Sequence, residues 1–221
     1  MREDFIMKNK KDLWLSIAFL ASFILWTLLI SFVDVQPIGP RGSAVGFATI
    51  NGMFHNLTGV HMTLYHITDW LGLVPVAFGF GFAILGLVQW IKRKHILNVD
   101  YSILVLGVYY MIVLAVYLFF EEYVVNYRPV LISGYLEASY PSSTTLLVLG
   151  VMPTANVQLN YRIKNCNLRR IVSCAIKVFT AFMVIGRLVS GVHWLSDIIG
   201  GILLSAGLVV LYRFLSNLKR N

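Results

Sequence analysis

Apolar residues in this chain fall into long uninterrupted runs separated by short polar and basic stretches. Residues 13–33 carry no charged side chain over 21 positions. At 1.5 Å per residue such a helix extends roughly 30 Å, the thickness of a bilayer's hydrocarbon core. Further runs cover residues 70–91, 101–120, 144–159, 171–186 and 194–215. The fourth is interrupted by Pro153 and Asn156, which a membrane helix tolerates when its neighbours satisfy the freed backbone groups. The fifth carries Lys177, which must snorkel or face the bundle interior. The pattern predicts an all-α, polytopic membrane protein of six transmembrane helices, one domain over residues 1–221. Residues 34–69 are too long for a simple turn. From 45 to 71 they mix apolar and polar positions and include His55, His61 and His66, so an interfacial helix is expected between the first two spans.

The first run is too long for a signal-peptide core, and no small-residue cleavage pattern follows it, so an uncleaved first span is expected. Composition agrees: 58% of the 221 residues are hydrophobic and 13% charged, against about 25% charged in a soluble domain. The formal net charge of +8 does not point to nucleic acid, because the basic residues cluster between the apolar runs. Arg2, Lys8, Lys10 and Lys11 precede the first span. Lys92, Arg93 and Lys94 follow the second, Arg162, Lys164, Arg169 and Arg170 follow the fourth, and Arg213, Lys219 and Arg220 end the chain. The opposite side has Arg41, Arg128 and Arg187. This bias places both termini in the cytoplasm of a cell-membrane protein, expected in a bacterial cytoplasmic membrane, with the polar motifs facing outward. Cys166 and Cys174 fall near the most basic loop, where thiols stay reduced.

Three polar segments lie on the outer side: EEYVVNYRP (residues 121–129), YPSSTT (140–145) and GRLVSGVHWLSD (186–197). In the third, His193 and Asp197 are four apart at a predicted helix start, which places both on one face. A carboxylate can then hold one imidazole nitrogen and leave the other as nucleophile or base. Arg187 offers a planar fork suited to phosphate oxygens. Taken alone, an interfacial histidine cap with an Arg187–Asp197 pair explains these residues equally well. In the second segment, Pro141 and Ser142 open a helix whose free N–H groups suit an anion, although a plain helix cap accounts for them too. Arg128 adds a second guanidinium. Together the parts suit phosphoryl transfer through a covalent phosphohistidine. No carboxylate cluster of metal-ligand type accompanies them, so a metal-independent mechanism without cofactor is expected.

The order and spacing resemble the type 2 phosphatidic acid phosphatases, membrane enzymes that dephosphorylate lipid phosphates and diphosphates. Their motifs run K-x6-R-P, P-S-G-H and S-R-x5-H-x3-D. Arg128-Pro129, Pro141-Ser142 and Arg187…His193…Asp197 match in order, and GVHWLSDIIGG is similar to bacterial members. The resemblance implies that His193 attacks phosphorus and Asp197 orients it. Arg128, Arg187, Ser142, Ser143 and the N–H groups beside them would hold the phosphoryl oxygens. Two positions depart. Glu121 stands where the family has lysine, and Thr144 where it has the histidine that protonates the leaving group, a role worth roughly 10²–10⁴-fold. Three consequences are open. A lipid diphosphate would need less protonation of its leaving group. Glu121 or one of the three outer-loop histidines would supply the proton, or else the chain binds phospholipid and turns it over slowly. The implied activity is hydrolysis of a lipid phosphate or prenyl diphosphate, with membrane lipids as partners. A lipid phosphotransferase and a degenerate phospholipid-binding member are the alternatives.

Overall fold

The computed structural model describes residues 2–218, with side chains from residue 9 onward; Lys219 and Arg220, counted above for orientation, lie outside the described residues. The described residues form eight α-helices: α1 (Arg2–Phe32), α2 (Ala48–Thr58), α3 (Met62–Leu71), α4 (Leu73–Arg93), α5 (Tyr101–Glu122), α6 (Ser143–Arg162), α7 (Cys166–Val189) and α8 (Leu195–Asn217). Five stretches are long and apolar enough to cross a membrane: Asn9–Phe32, Met62–Arg93, Tyr101–Glu122, Cys166–Val189 and Leu195–Asn217.

The expected fourth span, α6, has the length but not the apolarity. Its position explains why. It packs against α4, α5, α7 and α8, so its polar side chains meet protein and not lipid. Thr154 returns its hydroxyl to the carbonyls of Gly150 and Val151 (3.0 and 2.8 Å). Tyr109 of α5 also donates to the Gly150 carbonyl at 3.0 Å. Gln158 donates to the Ser102 carbonyl at 3.1 Å and to the Tyr212 hydroxyl. A buried polar group met in this way costs little, whereas an unmet one costs several kcal/mol.

Two apolar clusters flank α6. Ile30, Leu106, Tyr109, Val113, Leu146, Leu204, Leu208 and Tyr212 join α1, α5, α6 and α8. Val148 and Met152 face the other way, onto Ile176 and Met183 of α7. Lys177 lies exposed on α7, the arrangement that lets its ammonium snorkel. Cys166 and Cys174 are free and exposed.

The segment between the first two apolar runs forms two helices in place of one. Gly59 breaks them apart at φ +67, and α3 runs into α4 through Gly72. Both lie over the end of the bundle that carries the three polar motifs, α2 against α8 and α3 against α7. The basic clusters gather at the opposite end, where Arg93 and Arg162 approach Asp100 (2.9 and 3.6 Å) and Arg213 approaches Asp12 at 3.9 Å.

The α7–α8 connection turns at Gly191, at φ +68, against the Gly59 carbonyl. A Cβ built there would stand 1.9 Å from that oxygen, and His61 N–H donates to the Ser190 carbonyl beside it at 2.9 Å. Gly191→Ala combines left-handed backbone strain with a backbone clash. The variant is expected to lose at least about 1–3 kcal/mol, measured as a lowered midpoint of thermal unfolding in detergent; an unchanged midpoint would contradict this packing.

Candidate functional site

The N-termini of α6 and α8, the C-terminus of α7 and the α5–α6 connection converge beneath α2 and α3. His193 is not on a helix, contrary to the expectation from spacing; it immediately precedes the α8 cap residue Trp194. Asp197 occupies the third position of α8 and accepts the Trp194 backbone N–H at 2.9 Å, as a capping carboxylate does. The helix dipole further favours its negative charge there. The two side chains therefore meet because one caps the helix that the other precedes.

They do not touch directly. His193 Nδ1 lies 3.8 Å from Asp197 Oδ2, and Ser139 stands between them. Its Oγ is 3.1 Å from Nδ1 and donates to Asp197 Oδ2. Asn126 Nδ2 donates to Asp197 Oδ1 at 3.3 Å. The Ser139 carbonyl, an acceptor only, lies 3.2 Å from Nδ1, so Nδ1 carries the proton. Arg128 Nη1, a donor only, lies 3.4 Å from Nε2, so Nε2 presents a lone pair. His193 is 3% exposed and Asp197 0%. Burial, reinforced by the positive charge of Arg128, pushes the His193 pKa down to about 4, against the opposing pull of Asp197. The ring is neutral at pH 7, the form a nucleophile requires.

Two guanidinium groups flank the Tyr65 ring from α3, Arg128 at 5.9 Å and Arg187 at 4.9 Å. Arg128 Nε is 3.1 Å from Glu137 Oε2. Arg187 donates from Nη2 to Asp69 Oδ1 at 2.7 Å and to Thr144 Oγ1. Arg187 is 1% exposed, yet its Nε and Nη1 have no hydrogen-bond partner among the described residues, and neither does the buried Ser142 Oγ. Unmet donors on a buried cation are costly. Together with the open N-terminus of α6 they form an anion cradle. Gly200 lets α8 approach the ring of Tyr140, which brings Ser142 N–H to 3.2 Å from the Asp197 carbonyl. Among the described residues, no group of three or more His, Cys, Asp or Glu gathers as a metal site.

Of the residues expected from sequence, His193, Asp197, Arg187, Arg128, Ser142 and Thr144 converge here. Ser143 opens α6, and Glu121 lies in the last turn of α5 beside a small cleft that Ser139, Tyr140 and Ser143 also line. The three histidines of the segment between the first two apolar runs make other contacts. His55 packs on Trp194 at 5.5 Å, His61 contacts the Thr58 carbonyl at 2.9 Å, and His66 lies against Tyr65 at 5.1 Å. Sequence reasoning missed Ser139, Asn126, Glu137, Tyr65 and Asp69. Asn126 and Ser139 sit within three residues of quoted motif positions, the one signal available for them. From the cradle a groove of about 920 Å³ runs between α4, α5 and α6. Phe80, Phe82, Leu87, Val113 and Leu146 are among its lining, and Asp69, Ser143 and Thr144 lie at its polar end.

The sequence profile of the PAP2 superfamily matches residues 102–220. The structure is similar to that of a transmembrane PAP2-type phosphatidylglycerolphosphate phosphatase from Bacillus subtilis, with a TM-score of 0.56 and 16% identity, over 90% of this chain and 94% of that one. No curated protein matches this sequence.

The neutral His193 ring has a thermodynamic consequence. Between pH 6.5 and about 4 the unfolded chain binds a proton that the folded chain refuses. Stability is therefore full above this window and falls as pH drops through it, by about 3 kcal/mol in total. Thermal midpoints across this range should fall less steeply in His193→Gln than in the parent; parallel curves would mean that the imidazole is not held neutral.

Proposed function

The chain belongs to the PAP2 superfamily, and on that premise we propose that it is a membrane lipid phosphatase working through a phosphohistidine at His193. The observation that carries this reading is the environment of one nitrogen. His193 Nε2 is unprotonated, faces Arg128 and belongs to a ring whose other nitrogen is tied to Ser139. Beside it, Arg187 and Ser142 hold buried donors that nothing else in the described residues meets.

In this mechanism Arg128, Arg187, Ser142 Oγ and the N–H groups at Ser143 and Thr144 hold three phosphoryl oxygens. Nε2 attacks phosphorus as the bond from phosphorus to the lipid oxygen breaks, and the imidazolium that forms is stabilised through Ser139 by Asp197. Water then releases phosphate. Electrostatic stabilisation of this kind is worth roughly 10²–10³-fold per donor. The apolar groove accepts the hydrophobic part of the substrate, which makes a lipid phosphate or prenyl diphosphate the substrate class. The name of the similar B. subtilis structure, a phosphatidylglycerolphosphate phosphatase, supports the same class. Counting α6 as a span gives six, with both termini on the side of the basic clusters. The positive-inside bias then puts the site at the outer face of the membrane.

Purified protein in detergent is expected to release inorganic phosphate from a lipid phosphate, and His193→Ala to abolish that release. Arg187→Lys, which keeps the charge but loses the fork, is expected to lower kcat/KM by about 10²-fold. Release that survives in His193→Ala would overturn the mechanism.

A further inference from the structure

A phosphatase that expels an alkoxide needs a proton donor beside the departing oxygen, and the hydroxyl of Thr144 is too weak an acid to serve. The donor must stand where the phosphoryl cradle meets the lipid groove, because the bond that breaks lies across that junction. Asp69 stands there. Its Oδ1 and the Thr144 Oγ1 accept from the same nitrogen, Arg187 Nη2. Its side chain is 56% exposed while that of Arg187 is 2% exposed, so the carboxylate caps a buried cation and opens outward. The surface it opens onto is the polar end of the apolar groove, shared with Ser143 and Thr144.

Resting on the phosphatase reading above, we propose that Asp69, reaching over from α3, protonates the leaving oxygen of the lipid. Its placement, and not a residue of the α6 motif, supplies the acid. The proton arrives with the substrate: a lipid phosphate monoanion that binds at Arg187 passes its acidic phosphoryl proton to the adjoining Asp69 carboxylate. As the bond from Nε2 to phosphorus forms, the bond from phosphorus to the lipid oxygen breaks. Its electron pair stays on that oxygen, which takes the carboxyl proton of Asp69 and leaves as an alcohol. In the second half, water attacks phosphorus and gives a proton back to Asp69. The phosphorus–nitrogen bond breaks with its electrons returning to Nε2. Nε2 ends unprotonated, and Asp69 returns to a carboxylate as the departing phosphate takes the proton.

Other acids are less well placed. Glu121 lies across the α6 N-terminus, against Ser139 and Tyr140, and Glu137 is paired with Arg128. Asp197 is fully buried and held by Ser139, Asn126 and the Trp194 N–H.

The test compares a lipid monophosphate, whose leaving group is a strongly basic alkoxide, with p-nitrophenyl phosphate, whose leaving group needs little protonation. In Asp69→Asn the ratio of nitrophenyl to lipid phosphate turnover is expected to rise about 100-fold over the parent. Adding Thr144→His to that variant should bring the ratio back toward the parent's. Equal losses on the two substrates would show that Asp69 only positions Arg187, and would overturn the inference while leaving the phosphatase intact. Lack of any loss would overturn it as well. A parent protein inactive on both substrates would overturn the phosphatase reading itself, and this inference with it.

Discussion

An ion removed from water must be met by a partner, and that constraint organises the end of this bundle that carries the three polar motifs. Arg187, His193 and Asp197 are almost completely enclosed. Each is met, at least in part, by something the sequence places far away: Asp69 for Arg187, Ser139 for His193, Asn126 and Ser139 for Asp197. A buried carboxylate stripped of such partners would cost several kcal/mol. The loops around it therefore cannot drift without loss. The glycines at the crossings allow this closeness, since a side chain at position 191 would strike the Gly59 carbonyl and one at 200 the Tyr140 ring.

Against this background the unmet donors are informative. The structure satisfies Asp197 from three directions, yet two nitrogens of Arg187 and the Ser142 hydroxyl meet no partner among the described residues. A cradle that is built for a ligand differs from one built for stability in this respect. Its charge suits an anion, and the adjoining groove between α4, α5 and α6 suits a hydrophobic tail, so the two requirements of a lipid phosphate meet at one junction.

Much of this was legible in the chain. Hydropathy runs located α1, α4, α5, α7 and α8, because lipid-facing helices must be apolar whatever they pack against. The resemblance placed the six residues that converge. What sequence could not supply follows from the same physics. Helix α6 hides its polar residues from lipid inside the bundle, so its composition understates its role. The His193–Asp197 spacing predicts one helical face, whereas the histidine precedes the helix and the aspartate caps it. Ser139, the group between them, is one ordinary loop serine in the primary structure. Asp69 and Tyr65 reach Arg187 by the packing of α3 on α7, which no local pattern encodes. The replacements at Glu121 and Thr144 remove a positive charge and an imidazole from the expected motifs, and the structure puts a carboxylate from another helix next to the second of these.

Whether His193 Nε2 bonds to phosphorus is decided by rapid acid-free quenching of protein turning over a ³²P-labelled lipid phosphate, followed by peptide mapping. Label is expected on the peptide containing His193, stable in base and lost in acid, as a phosphoramidate is. Label on another residue, or none during measurable turnover, would contradict it.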